Sequence, residues 1–130
     1  MTTKANDETT NEDDNSHIIV LERDGSPPVR FRGWFTGEGS SREHSGHSNS
    51  RWTEIRIYET VSGKTILGII GRTIWQDEHD MRKVVVVPST DHKAIAKALA
   101  DQNDGWLSDV AKDAMRDAGI ALDAIAEDID

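Results

Sequence analysis

The chain has 130 residues, 35% apolar and 30% charged, with no cysteine and a formal charge of -9. This describes one small acidic domain and leaves no material for a second core. Disulfides, thiolate nucleophiles and zinc ribbons are excluded. No run approaches the ~20 apolar residues that span a bilayer, and the acidic start lacks the pattern of a secretory signal, so a cytoplasmic protein without membrane contact is expected.

Residues 1–16 hold five acids against Lys4 and no large apolar residue after Met1. Such a stretch cannot bury enough surface to offset its ordering entropy, which predicts a disordered acidic tail. From His17 the run HIIVLE reads as a strand, and Asp24, Gly25, Ser26, Pro27 and Pro28 force a turn. In VRFRGWF, Val29, Phe31, Gly33 and Phe35 alternate with Arg30, Arg32 and Trp34, so a two-residue period points the first set inward and the second outward. Residues 36–51, rich in glycine and serine, read as one long loop.

A hairpin follows, because RWTEIRIYE and KTILGIIGRTIW flank Val61, Ser62 and Gly63. Thr53, Ile55 and Ile57 share one face of its first strand; Trp52, Glu54, Arg56 and Tyr58 share the other. Its second strand is apolar on both faces, as in a central strand covered on both sides, with helices as the cover. The run MRKVVVVPS gives a fifth strand that stops at Pro88.

Beyond Pro88 the period moves towards 3.6. Ser89 or Thr90 caps a helix carrying Ala94, Ile95, Ala98 and Leu99. Asp104 or Ser108 starts a second helix carrying Leu107, Val110, Ala111, Ala114 and Met115, which Gly119 closes and Trp106 anchors to the sheet. The expected fold is α+β: a mainly antiparallel five-stranded meander with two C-terminal helices packed on one face, forming a single domain over residues 17–120. The last stretch, 121–130, is acidic, with Leu122, Ile125 and Ile129 spaced like one side of a helix.

Charge is segregated. Residues 17–120 hold 14 Lys/Arg and 15 Asp/Glu, so the two ends carry eight of the nine excess negative charges. A nearly neutral body argues against direct duplex binding, which needs a surplus of cations on one surface. His44, His47 and His79, near Glu43, Asp77, Glu78 and Asp80, suggest a metal-dependent hydrolase as an alternative, although Ser45-Gly46 does not pre-aim the first pair. Gly37-Glu38-Gly39-Ser40-Ser41 lacks the lysine and helix of a phosphate-binding loop, and no serine sits in a GxSxG elbow. The sequence therefore assigns no catalytic residue, no metal and no cofactor.

Aromatic residues beside arginines mark the surface expected to meet a protein partner: Arg30, Arg32, Trp34, Trp52, Arg56 and Tyr58, with Asp123, Glu127 and Asp128 adding acidic attraction. The same arginines and tryptophans define a second alternative, a single-strand nucleic-acid binder. On VRFRGWFTGE, EIRIYETVSGKTIL and the ending EDID, the chain resembles the EXLDI family of small prokaryotic proteins over roughly residues 28–130. That resemblance implies no activity and transfers no catalytic residue. The expected function is a non-enzymatic protein-binding or inhibitory module, from a mobile element, that acts on nucleic-acid-handling or defence machinery of a prokaryotic host.

Overall fold

The computed structural model describes residues 16–42, 50–75 and 77–122. Strands β1 (His17–Leu21), β2 (Val29–Ser40), β3 (Arg51–Thr60), β4 (Thr65–Thr73) and β5 (Met81–Val87) form one antiparallel sheet in chain order. Helices α1 (His92–Asp101) and α2 (Asp109–Asp117) follow it. This is the predicted α+β meander with two trailing helices.

The β3–β4 hairpin is closed by Gly63, whose φ of +87° suits a residue without Cβ, and by the Thr60 hydroxyl, which accepts the Lys64 N–H at 2.9 Å. Its register places Ile57 opposite Leu67 and Ile55 opposite Ile69. These side chains, with Val87, face Ile95 and Leu99 of α1 and Val110, Ala111, Ala114 and Met115 of α2. Each large aliphatic side chain buried here contributes about 1.5–3 kcal/mol, so the helix pair is held mainly by this seam. The Ser108 side chain caps α2 by accepting the Ala111 N–H, and Gly119, at φ +82°, follows its end.

Helix α2 lies antiparallel to β2, and glycine makes that approach possible. A Cβ on Gly39 would stand 2.4 Å from the Val110 carbonyl oxygen, and one on Gly37 2.4 Å from the Ala118 nitrogen. Both glycines face the helix because the register shifts between Phe35 and Gly37, with Thr36 as the extra residue. Before the bulge, Phe31 and Phe35 lie on the opposite face, edge-on to Tyr58 at 5.7 Å between ring centroids.

That opposite face is rolled. A Cβ on Gly68 of β4 would meet Leu21 Cδ1 of β1 at 3.9 Å, although two strands separate β1 from β4 in the sheet. The β1–β2 tip closes the roll, since the Asp24 N–H donates to the Arg82 carbonyl at 3.0 Å and Asp24 Oδ2 accepts the Arg82 N–H at 2.9 Å.

Several expectations are corrected here. Part of the segment expected as a loop over 36–51 is strand, because β2 runs to Ser40 and β3 begins at Arg51, and Gly37 and Gly39 are strand residues under a helix; residues 43–49 of that segment lie outside the described residues. Cover on the second face of β4 comes from the roll, not from helices. The first helix is capped by Asp91, which accepts the Ala94 N–H, while the Ser89 carbonyl is taken by the Thr65 hydroxyl. Trp106 anchors nothing: it is 61% exposed, and Leu107 packs on the core in its place. Ser16, assigned to the tail, is buried and accepts a hydrogen bond from Arg32. The rest of the expected tail and residues 123–130 lie outside the described residues.

Candidate functional site

Along the lower end of the rolled face, six side chains of alternating sign form a ladder across the strands. Arg56 Nε lies 3.4 Å from Glu38, Arg56 Nη2 3.4 Å from Glu54, and Arg72 Nε 3.1 Å from the same Glu54 oxygen. Arg72 Nη1 then reaches Asp80 at 2.9 Å, and Arg82 stands 3.9 Å from Asp80 on the far side. The other Glu54 oxygen accepts from Trp52 Nε1 at 2.9 Å, and Arg42 covers the Trp52 ring at 4.1 Å from its centroid.

The ladder arises from strand parity, since Glu54, Arg56 and Arg72 all occupy positions facing away from the helices. Burial by itself would raise the Glu54 carboxyl. The hydrogen bonds from Trp52 and Arg72, with the charges of Arg72 and Arg56, outweigh burial and hold it below the ordinary carboxylate range. Asp80 is lowered by its hydrogen bond from Arg72 and then by the Thr73 N–H. Beside the ladder, Glu78 pairs with Arg51 and is lowered by that bond and by the Thr73 hydroxyl. Carboxylates saturated by arginine in this way are poor proton acceptors and poor metal ligands, so the ladder is a clamp joining β2 to β5.

The residues singled out in the sequence fall on two faces. Arg30, Arg32 and Trp34 lie on the helix side of β1–β2, since Trp34 stands opposite Glu59, which is opposite Thr65 of the helix-facing row. Trp52, Arg56 and Tyr58 lie on the rolled face, where Arg56 belongs to the ladder and Tyr58 is 7% exposed among aromatic rings. Asp123, Glu127, Asp128, His44 and His47 lie outside the described residues, and His79 is exposed. Among the described residues no group of three or more His, Asp or Glu side chains could hold a metal. No helix among them is long and apolar enough to cross a membrane.

Sequence reading passed over the edge formed by β5. Met81 is 65% exposed and Val86 49%. A hollow of about 500 Å³ lies on the helix side of this strand, beyond the helices, lined by Arg23, Asp24, Ile69, Met81, Lys83 and Val84 among others. A smaller one of about 120 Å³ opens on the rolled side, between Leu21, Tyr58, Gly68 and the stretch Arg82–Val84. The signal for this edge was present in MRKVVVV, where two cations precede a β-branched run, the composition of a guarded edge strand. Its pairing with Asp24, 58 residues away, was invisible. No family model, curated protein or solved structure matches the chain.

Proposed function

We propose that the chain is a non-enzymatic protein-binding module that acts by occupying a surface of a larger partner, its specific form being inhibition of nucleic-acid-handling or defence machinery in a prokaryotic host. The observation that carries this reading is how charge is divided. Residues 1–15 and 123–130 each contribute -4 of the total -9. Inside the body, Glu38, Glu54, Glu78, Asp80, Asp101 and Asp113 are each spent in ion pairs with neighbouring Arg or Lys. The long-range field therefore comes from the two acidic stretches. A field of this kind speeds encounter with a basic surface and is sensitive to salt, whereas fit must come from the neutral body.

The supporting experiment removes residues 1–15 and 123–130 separately, which spares Ser16 and Leu122, and measures partner capture from a prokaryotic lysate across a salt series. Slower capture with a shallower salt slope is expected from each deletion. Capture and slope equal to those of the full chain would remove acidic steering from the mechanism. The nucleic-acid alternative needs Arg30, Arg32 and Arg56 on one surface, and they occupy two. The likeness to the EXLDI family adds no residue to this reading.

A further inference from the structure

We infer that the edge of β5 beyond Arg82, at Val84 and Val86, is a strand-addition site for an extended, acidic segment of a partner protein; this rests on the protein-binding reading and names its contact and chemistry. In an antiparallel ladder the N–H and C=O of one residue point to the same side, and the side alternates along the strand. Both groups of Arg82 point away from β4, because they bond to Asp24. Val84 and Val86 therefore present their N–H and C=O outward as well, and among the described residues no hydrogen bond meets them. Such a row is where another strand adds, its backbone giving affinity and its alternate side chains giving specificity. The two hollows described above lie on either side of this edge and share Arg82, Lys83 and Val84. Alternate side chains of an added strand would point into one and then the other.

The charges select the occupant. Lys83 Nζ bonds to the neutral Gln102 side chain at 2.9 Å, and Arg23 Nε to the Pro27 carbonyl at 2.7 Å. Among the described residues neither cation has a carboxylate at ion-pair distance, and Arg82 reaches its nearest only at 3.9 Å. A second copy adding parallel to β5 would bring Arg82 and Lys83 beside the same two cations, which is unfavourable across strands, and an antiparallel copy would offer them no carboxylate, since β5 carries none. An acidic strand is favoured, and Asp24 already shows an aspartate meeting this edge. The attraction is local, acting within the ~8 Å over which charge is felt at physiological salt. The partner accordingly presents an acidic strand beside the basic surface that the two acidic stretches seek.

The test uses the full chain, isotopically labelled, and a synthetic heptapeptide of alternating aspartate and valine. Its controls are the lysine-valine analogue and the aspartate peptide N-methylated at alternate amides. The aspartate peptide is expected to shift and protect the Val84 and Val86 amides, with the lysine and N-methylated peptides each weaker by about tenfold or more. Lys83→Glu should weaken the aspartate peptide about tenfold without moving the melting temperature. Because the N-methyl control leaves the protein untouched, misfolding cannot imitate the result. Absence of shifts at Val84 and Val86, equal binding of the lysine peptide, undiminished binding of the N-methylated one, or sedimentation as a dimer that Lys83→Glu strengthens would overturn the inference. Loss of peptide binding with salt-dependent capture intact would remove the edge alone; intact peptide binding with salt-insensitive capture would remove the acidic steering alone.

Discussion

Gly39 and Gly71 are both strand glycines on the helix side of the sheet, yet only one is required. Alanine at Gly39 would place its Cβ 2.4 Å from the Val110 carbonyl oxygen and 2.8 Å from the Ala114 nitrogen, so α2 would have to move. Overpacking against backbone costs about 1–3 kcal/mol, and Gly39→Ala is expected at the upper end of that range, read as a lowered urea midpoint. At Gly71 the new Cβ meets only Met81 side-chain atoms, at 3.5 and 3.9 Å, which is ordinary contact. Gly71→Ala should be neutral or stabilise by up to about 1 kcal/mol, through reduced freedom of the unfolded chain. Equal losses at both positions would show that strand propensity, not the helix contact, governs these sites. The contrast also explains why residues 36–40 read as loop. A glycine in sequence marks either a turn or a close approach, and nothing local distinguishes Gly39 under a helix from Gly63 in a hairpin.

The ladder from Glu38 to Arg82 ties four strands, and its stability contribution has a definite pH signature. Glu54 and Asp80, with the neighbouring Glu78, have folded-state values below the ordinary carboxylate range. A depressed group contributes stability that is fully present above its unfolded value, about 4, and that is lost as pH falls through the folded value. The urea midpoint should therefore hold from neutral pH down to about 5 and then decline. Glu54→Gln should lower the midpoint at neutral pH, since Arg72 loses one of its partners, while making the acid decline shallower. Parallel curves for the two chains would show that Glu54 contributes no linkage. The strands themselves were legible: parity assigned Glu54, Arg56 and Tyr58 to one face, and Val61–Gly63 marked the turn between β3 and β4. The ladder was not, because Glu38 joins that face only after the bulge at Thr36, and Asp80 comes from the β4–β5 connection. The roll was hidden for a related reason, since contact between Leu21 and Gly68 follows from accumulated twist and not from any local signal.

In the proposed reading, stability belongs to residues 16–122 and long-range charge to residues 1–15 and 123–130, and this division can be tested by trimming. A chain of residues 16–122 keeps buried Ser16, buried Ile120 and Leu122, which packs on the core, while its formal charge falls to -1. If the removed stretches serve only to set the field, the trimmed chain should unfold within about 0.5 kcal/mol of the full one, the range of surface changes that touch no packed group. Its solubility should move the other way, because a net charge near zero removes the self-repulsion that keeps molecules apart. Precipitation at lower protein concentration near neutral pH, with little change in the melting curve, is therefore expected from turbidity and calorimetry on the two chains. A marked drop in melting temperature would show instead that residues 1–15 or 123–130 pack against the body. Their charges would then belong to the fold, and the fast, salt-sensitive encounter proposed here would lose its source.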